Sequence, residues 1–149
     1  MNKELINIIK LSRLLVIKYN ERISIIARKH NISFQEADML LIFSNNPNII
    51  NAKDVVNISK VSKAYVSKSL NLLVNKNLIS IIPDKIDKRK QKIIINNSAN
   101  KIIEELKEEE KKYINLITKN IKSNDLNKYI EVYKLMCNNI IDRKEDKYD

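Results

Sequence analysis

The side chains with the most chemistry to offer in this sequence are cations, and they are unevenly spread. Residues 58–95 hold nine Lys or Arg (Lys60, Lys63, Lys68, Lys76, Lys85, Lys88, Arg89, Lys90 and Lys92) against two Asp (Asp84 and Asp87), which is +7 of a net charge of +10. A basic block beside an almost neutral remainder is the footprint of a face that meets a polyanion. Hydroxyls are interleaved with the first of these cations: Ser62, Tyr65 and Ser67 alternate with Lys63 and Lys68. Such groups bind phosphate oxygens or base edges. The heavy use of Ile, Asn and Lys is also what AT-rich coding DNA produces, so charge needs support from architecture.

Most other chemistries lack their residues. Glycine is absent, and the loops that cradle phosphates of nucleotide cofactors need it for tight turns and close backbone approach. One His (His30) and one Cys (Cys137) stand far apart, which leaves neither a zinc cluster nor a Cys–His nucleophile. The single Cys also excludes an internal disulfide, and its place on an apolar stripe reads as a buried, inert thiol. The run Glu104–Glu110 alternates with Lys on a helix and reads as surface pairing at i,i+4. No enzyme activity, cofactor or metal is therefore expected. The amphipathic N-terminus lacks the form of a secretory signal and no apolar stretch is long enough to cross a bilayer, so a cytoplasmic location away from membranes is expected.

The elements that position the basic block can be read from periodicity. Leu5, Ile8, Ile9, Leu15, Val16, Tyr19, Ile23 and Ile26 mark a helix over 4–30. Ser33 and Glu36 have capping-box spacing and open a helix over 34–44, stopped at Asn45-Asn46-Pro47. Asn51 caps a short helix over 52–58. After Ser59-Lys60-Val61, Ser62 caps a helix to Val74 or Asn75. Val66, Leu70 and Leu73 form the buried face of that helix, and Lys63, Tyr65, Lys68 and Asn71 its outer one. Two short β-branched runs, 78–82 and 92–95, flank a charged loop and predict a hairpin. A long helix striped by Ile102, Ile103, Leu106, Tyr113, Ile114, Ile117 and Ile121 follows. Ser123-Asn124-Asp125 then breaks the chain before a last helix striped by Leu126, Ile130, Tyr133, Cys137 and Ile140.

Two short helices meeting at a tight turn, followed by a hairpin with a basic tip, make a winged helix-turn-helix. The expected fold class is mainly α with a small β-hairpin wing, in one domain over 1–149. The DNA-binding lobe spans 34–95, flanking helices lie at 1–31 and 97–142, and a charged tail at 143–149. In this arrangement the helix from Ser62 enters the major groove, while Lys85, Lys88, Arg89 and Lys90 bring the wing to the sugar-phosphate backbone. An Arg at the tip suits the negative potential of a narrow minor groove.

In this order of elements the chain resembles the MarR family of transcriptional regulators over roughly residues 4–142. The most specific piece is Asp87-Lys88-Arg89, which matches the family's D-x-R wing element. Val66-Ser67-Lys68-Ser69-Leu70 through Lys76-Asn77-Leu78-Ile79 resembles its recognition helix and exit into the wing, and Ser123-Asn124-Asp125-Leu126 the start of its last helix. Asn77 replaces the usual Gly after the recognition helix; Asn tolerates the left-handed conformation better than most residues. Ile95 to Asn100 replace a Leu-Thr and nearby Gly. The resemblance implies that Asp87 orients the wing through a salt bridge and that Arg89 reaches the minor groove. It implies a homodimer through the N-terminal and last two helices, which places two recognition helices about one DNA turn apart over a pseudo-palindromic operator. The function expected is a sequence-specific regulator of double-stranded DNA, a repressor released by a small-molecule ligand. The alternative is a winged-helix adaptor or a non-specific DNA-packaging protein. For a small hydrophobic or anionic effector, the candidate residues are Arg13, Tyr19 and Arg22 on the first helix. An oxidant sensor of this family uses a Cys near the N-terminus, whereas Cys137 lies in the last helix.

Overall fold

The computed structural model describes residues 2–47, 49, 51–87 and 91–141. The elements run in the order α1 (Asn2–Lys29), α2 (Phe34–Asn45), α3 (Ala52–Ser59), α4 (Lys63–Asn75), β1 (Ile79–Pro83), β2 (Gln91–Ile95), a single 3-10 turn (Asn97–Ala99), α5 (Asn100–Ile117) and α6 (Ser123–Ile141). The chain divides into two compact units, Met1–Tyr113 and Ile114–Asp149, with the division inside α5. The tail expected at 143–149 lies outside the described residues.

Local sequence accounts for where the helices of the first unit begin. The Ser33 hydroxyl accepts the Glu36 N–H, while the Ser33 N–H donates to the Glu36 carboxylate at 2.8 Å. This is a complete capping box, which satisfies amides that a helix start otherwise leaves unpaired. Asn51 and Asp54 make a second box at the start of α3. The Ser62 hydroxyl accepts the Tyr65 N–H at 3.1 Å and opens α4.

The helix ends show how a chain without glycine turns corners. Asn31, Lys60, Asn77 and Asn120 all adopt positive φ, between 57° and 64°. After α4, Asn77 N–H donates to Val74 O and Leu78 N–H to Leu73 O, both at 2.9 Å. That pair is a Schellman motif, and the same pattern closes α1 at Asn31 and Ile32. Each such non-glycine corner costs on the order of 1 kcal/mol, somewhat less for Asn, whose short polar side chain suits the conformation.

The core of the first unit sits under α4. Ile23 and Ala27 of α1, Ala37, Met39, Leu40 and Leu41 of α2, Val55 of α3 and Val66, Leu70 and Leu73 of α4 are buried together. Ile79, Ala99, Ile102, Ile103 and Leu106 complete it. Only the C-terminal part of the α1 stripe takes part; Leu5, Ile8, Ile9, Leu15 and Val16, which belong to the predicted pattern, are exposed in the single chain. In the second unit α6 buries no residue, and Cys137, expected to be buried, is half-buried. Tyr129 and Tyr133 stack on its surface at 5.9 Å.

Several boundaries differ from the sequence reading for physical reasons. Asn97–Ala99 form a 3-10 turn ahead of α5, so that helix starts at Asn100 rather than Ser98. Ile121, placed on the α5 stripe, lies beyond the helix end in the corner that Asn120 turns. Ser123 is the first residue of α6 and not its cap, because the Leu126 N–H bonds to Lys122 O. The acidic run makes one weak i,i+4 contact, Glu108 with Lys112 at 4.0 Å. Glu105, Glu109 and Glu110 reach across to α1 instead, meeting Lys29 and His30, Arg22, and Tyr19 respectively.

Glu36 is buried to 1% exposure, and its carboxylate takes the Lys76 ammonium at 2.9 Å. The same Nζ donates to Asn31 O at 2.8 Å, so one cation joins the end of α1, the start of α2 and the end of α4. Burial pushes the Glu36 carboxyl up, but the Ser33 N–H, Lys76 and the Ser33 hydroxyl together hold it below the usual carboxylate range. A depressed carboxyl contributes stability that is present above its unfolded pKa and is lost as pH falls through the folded one. The urea midpoint is therefore expected to fall as pH drops below about 4, the ordinary Glu value, and Glu36→Gln to flatten that fall. Glu36→Ala is expected to cost about 3 kcal/mol in urea unfolding, through loss of both the buried pair and the cap.

Candidate nucleic-acid interface

The outer surface of α4 is set by what its inner surface buries. With Val66, Ser69, Leu70 and Leu73 facing the core, Ser62, Lys63, Ala64, Ser67, Lys68 and Asn71 are exposed along the first two turns and beyond. Ser62, Lys63, Ser67 and Lys68 thus share one open face. Tyr65, expected on that face, is a correction. Its ring is half-buried, and its hydroxyl donates to Asp38 Oδ2 of α2 at 3.0 Å. The helical pattern could not foresee this, because it does not say where α2 crosses α4.

The hairpin pairs Ile79 with Ile95 through Pro83 with Gln91 in antiparallel register. Pro83, expected to end the strand, is its last paired residue. A polar cluster fixes the wing to the end of α4: Asn96 Nδ2 donates to Asn77 O at 3.0 Å, Ser98 to Asn77 O at 2.6 Å and Ser80 to Asn96 Oδ1 at 2.8 Å. At the start of the loop, Asp84 Oδ1 accepts the Ile86 and Asp87 N–H groups at 2.8 and 2.9 Å, an Asx turn. Lys85 and Ile86 are exposed, Ile86 to 97%, and Asp87 is half-buried. Lys88, Arg89 and Lys90 lie outside the described residues.

Between α3, α4 and the hairpin runs a cleft of about 550 Å³. Val56, Val66, Leu70 and Ile81 form its apolar floor, and Lys53, Lys63, Ser67, Asn71 and Gln91 its polar rim. Lys53 and Gln91 were not singled out from sequence. Lys53 falls outside the basic block, and only the three-residue turn between α3 and α4 brings it beside Lys63. Among the described residues no group of three or more His, Cys, Asp or Glu could hold a metal, and no helix is long and apolar enough to cross a membrane.

The candidate effector residues on α1 lie apart from this face. Arg13 is exposed. Tyr19 packs edge-on against Tyr113 at 5.7 Å and donates to Glu110 Oε1 at 2.5 Å. Arg22 meets Glu109 at 2.5 Å. Tyr19 and Arg22 therefore share the seam between α1 and α5, both engaged with carboxylates.

The sequence model described as the MarR family matches residues 30–90. Over that span the chain is similar to the MarR family. Solved structures extend the likeness of fold to nearly the entire chain. A MarR-family protein from Listeria monocytogenes complexed with a 26mer DNA is 19% identical, covers 97% of each chain and superposes with a TM-score of 0.80. A MarR protein from Peptoclostridium difficile is 22% identical over 90% of this chain and 87% of its own, with a TM-score of 0.78. The Staphylococcus aureus MepR–DNA complex is 14% identical over 87% of this chain and 94% of its own, with a TM-score of 0.77. No curated protein matches the chain. The matched span takes in α2, α3, α4 and β1 and ends just before β2.

Burial, the Asp38 charge and the bond to Asp38 push the Tyr65 phenol well above the ordinary tyrosine range. Burial and Glu110 do the same to Tyr19. In a spectrophotometric titration of the folded protein these two phenols are expected to ionise after the ordinary range. Asp38→Asn is expected to move one of the late steps down, because it removes a negative charge that opposes phenolate formation.

Proposed function

We propose that this protein is a DNA-binding transcriptional regulator that reads double-stranded DNA with the outer face of α4 and straddles it with the wing. The observation that carries this reading is the shared exposure of Ser62, Lys63, Ser67 and Lys68 on one side of α4, in a lobe that matches the MarR family. Lys63 and Lys68 bind phosphates or guanine edges, and Ser62 and Ser67 add hydroxyl contacts. Lys53 and Gln91 extend the same rim, and Lys85, Lys88, Arg89 and Lys90 hold the backbone beside it. Asp87 keeps the wing oriented. Two of the solved relatives were determined with DNA, which supports the choice of partner.

The working unit in this reading is a homodimer. The apolar residues of α1, from Leu5 to Ile17, together with Ile114, Tyr129, Ile130 and Tyr133, are exposed in the single chain, more than a soluble monomer ordinarily leaves uncovered. Two copies related by a two-fold axis address half-sites one DNA turn apart. The protein acts in the cytoplasm as a repressor, and a small hydrophobic or anionic effector releases it by competing with Glu109 or Glu110 for Arg22 and Tyr19, with Arg13 nearby on the same helix.

The test is a binding titration against a duplex from the region upstream of the protein's own coding sequence, beside a random duplex of equal length. A regulator is expected to prefer an inverted repeat by at least about a thousandfold at physiological salt. Equal affinity for both would instead indicate DNA packaging. Lys68→Ala, Lys63→Ala and Arg89→Ala are each expected to weaken binding and to lower the salt slope by about one unit where a phosphate contact is lost, with the melting temperature unchanged. Wild-type binding by all three variants would remove the proposed face.

A further inference from the structure

The first turn of α4 is tied to α2 at two points. Tyr65 donates its hydroxyl to Asp38 Oδ2 at 3.0 Å, and the Gln35 amide donates to Tyr65 O at 3.1 Å. The Ser69 hydroxyl donates to that same carbonyl at 2.7 Å. Asp38 does not face Tyr65 alone. Glu110 of α5 is close enough for its charge to act on Asp38, and Tyr19 of α1, bonded to Glu110, is close enough to feel Asp38. Two carboxylates thus share one half-buried region, each with a phenol as donor.

We infer that Asp38 and Tyr65 are positioning residues for DNA binding, forming a latch that holds the first two turns of α4 against α2 and that a single proton loosens. The inference rests on the reading of α4 as the DNA-contacting helix. Lys63, Ser67 and Lys68 are carried by the turns that the latch fixes, and polar recognition needs its groups held to about 0.5 Å. When Asp38 is ionised, the Tyr65 bond is charge-assisted; a protonated Asp38 accepts only a neutral bond, roughly half as strong.

The surroundings bring that proton within reach. Burial raises the Asp38 carboxyl above the usual carboxylate range; the Tyr65 bond opposes this and the Glu110 charge adds to it. A raised carboxyl makes the folded chain gain relative stability on protonation, so acid does not unfold the lobe through Asp38. It relaxes one bond inside a lobe that stays folded. Tyr65 and Tyr19, the phenols facing Asp38, remain protonated throughout this range, and the Glu110 charge adds to the effect of burial on the Asp38 carboxyl.

The experiment compares wild type, Asp38→Asn, Tyr65→Phe and the double variant. DNA affinity is measured on the upstream duplex from neutrality down to the usual carboxylate range, and amide exchange at Tyr65 and Val66 is measured without DNA. The Asp38→Asn side chain mimics the protonated acid. This variant is expected to bind several-fold more weakly than wild type at neutrality, and the two affinities are expected to converge as pH falls. Taking the ratio cancels every pH effect that both proteins share. Tyr65→Phe is expected to lower affinity about tenfold, as loss of a charge-assisted bond would. The double variant is expected to lose no more than Tyr65→Phe alone, because both changes remove one bond. A ratio of Asp38→Asn to wild-type affinity that does not change with pH, or single losses that add, would overturn the latch. A wild-type chain that binds neither duplex overturns the DNA reading instead. The latch is then judged by exchange: faster exchange at Tyr65 and Val66 in Tyr65→Phe supports it, and unchanged exchange refutes it.

Discussion

A carboxylate buried where one helix ends and another begins has to be neutralised by whatever the chain brings there, and Glu36 meets that demand from three directions. The Ser33 hydroxyl and N–H come from its own capping box, and the ammonium of Lys76 from the far end of α4. Lys76 also binds the carbonyl of Asn31, where α1 turns out of its last helical residues. The cost of removing Glu36 from water is thus converted into a fixed relation among α1, α2 and α4. The corner at Asn77, the polar cluster with Asn96 and Ser98 and the register of the hairpin all follow the end of α4. The direction in which the wing leaves the lobe descends from that placement.

The electrostatics divide into two zones of opposite character. On the outside of α4 and around the cleft stand Lys53, Lys63 and Lys68 with hydroxyls and amides, exposed and able to rearrange around a polyanion. On the inside, where α1, α2 and α5 meet, Asp38 and Glu110 face phenols rather than cations, while Glu105 and Glu109 are paired with Lys29, His30 and Arg22. Negative charge behind α4 and positive charge in front of it give the lobe a defined polarity. A polyanion is drawn to the front and repelled from the seam.

Much of this was legible because the informative signals are local. Ser33 and Glu36 are three residues apart, and that spacing is sufficient for a capping box. Asn51 and Ser62 announced helix starts through their side chains alone, and Asn77 announced a left-handed corner through its tolerance for one. The inner face of α4 followed from the spacing of Val66, Leu70 and Leu73. What stayed hidden depends on which elements cross. Tyr65 has an ordinary outward position on the helical wheel until α2 is laid beside it, and then its hydroxyl finds Asp38. The acidic run of α5 has the local pattern of surface pairing, yet three of its carboxylates are taken by α1. Lys53 sits beyond the basic block in sequence and beside it in space. The end of α5 was misplaced because Asn120 turns the chain one residue before an Ile that fits the stripe.

Among the described residues, Asn31, Lys60, Asn77 and Asn120 are the non-glycine positions held in the left-handed region. Each stands on a helix exit, and each is a position at which glycine is sterically freer. The Asn31 side chain makes no hydrogen bond among the described residues. There a lineage carrying this fold therefore has a neutral or mildly stabilising step open to it that leaves the exposed row of α4 unchanged. Such a step widens the set of α4 sequences the lobe can tolerate, since most substitutions cost folding free energy. Glycine's absence in a protein of this architecture is, in that sense, a source of evolvability.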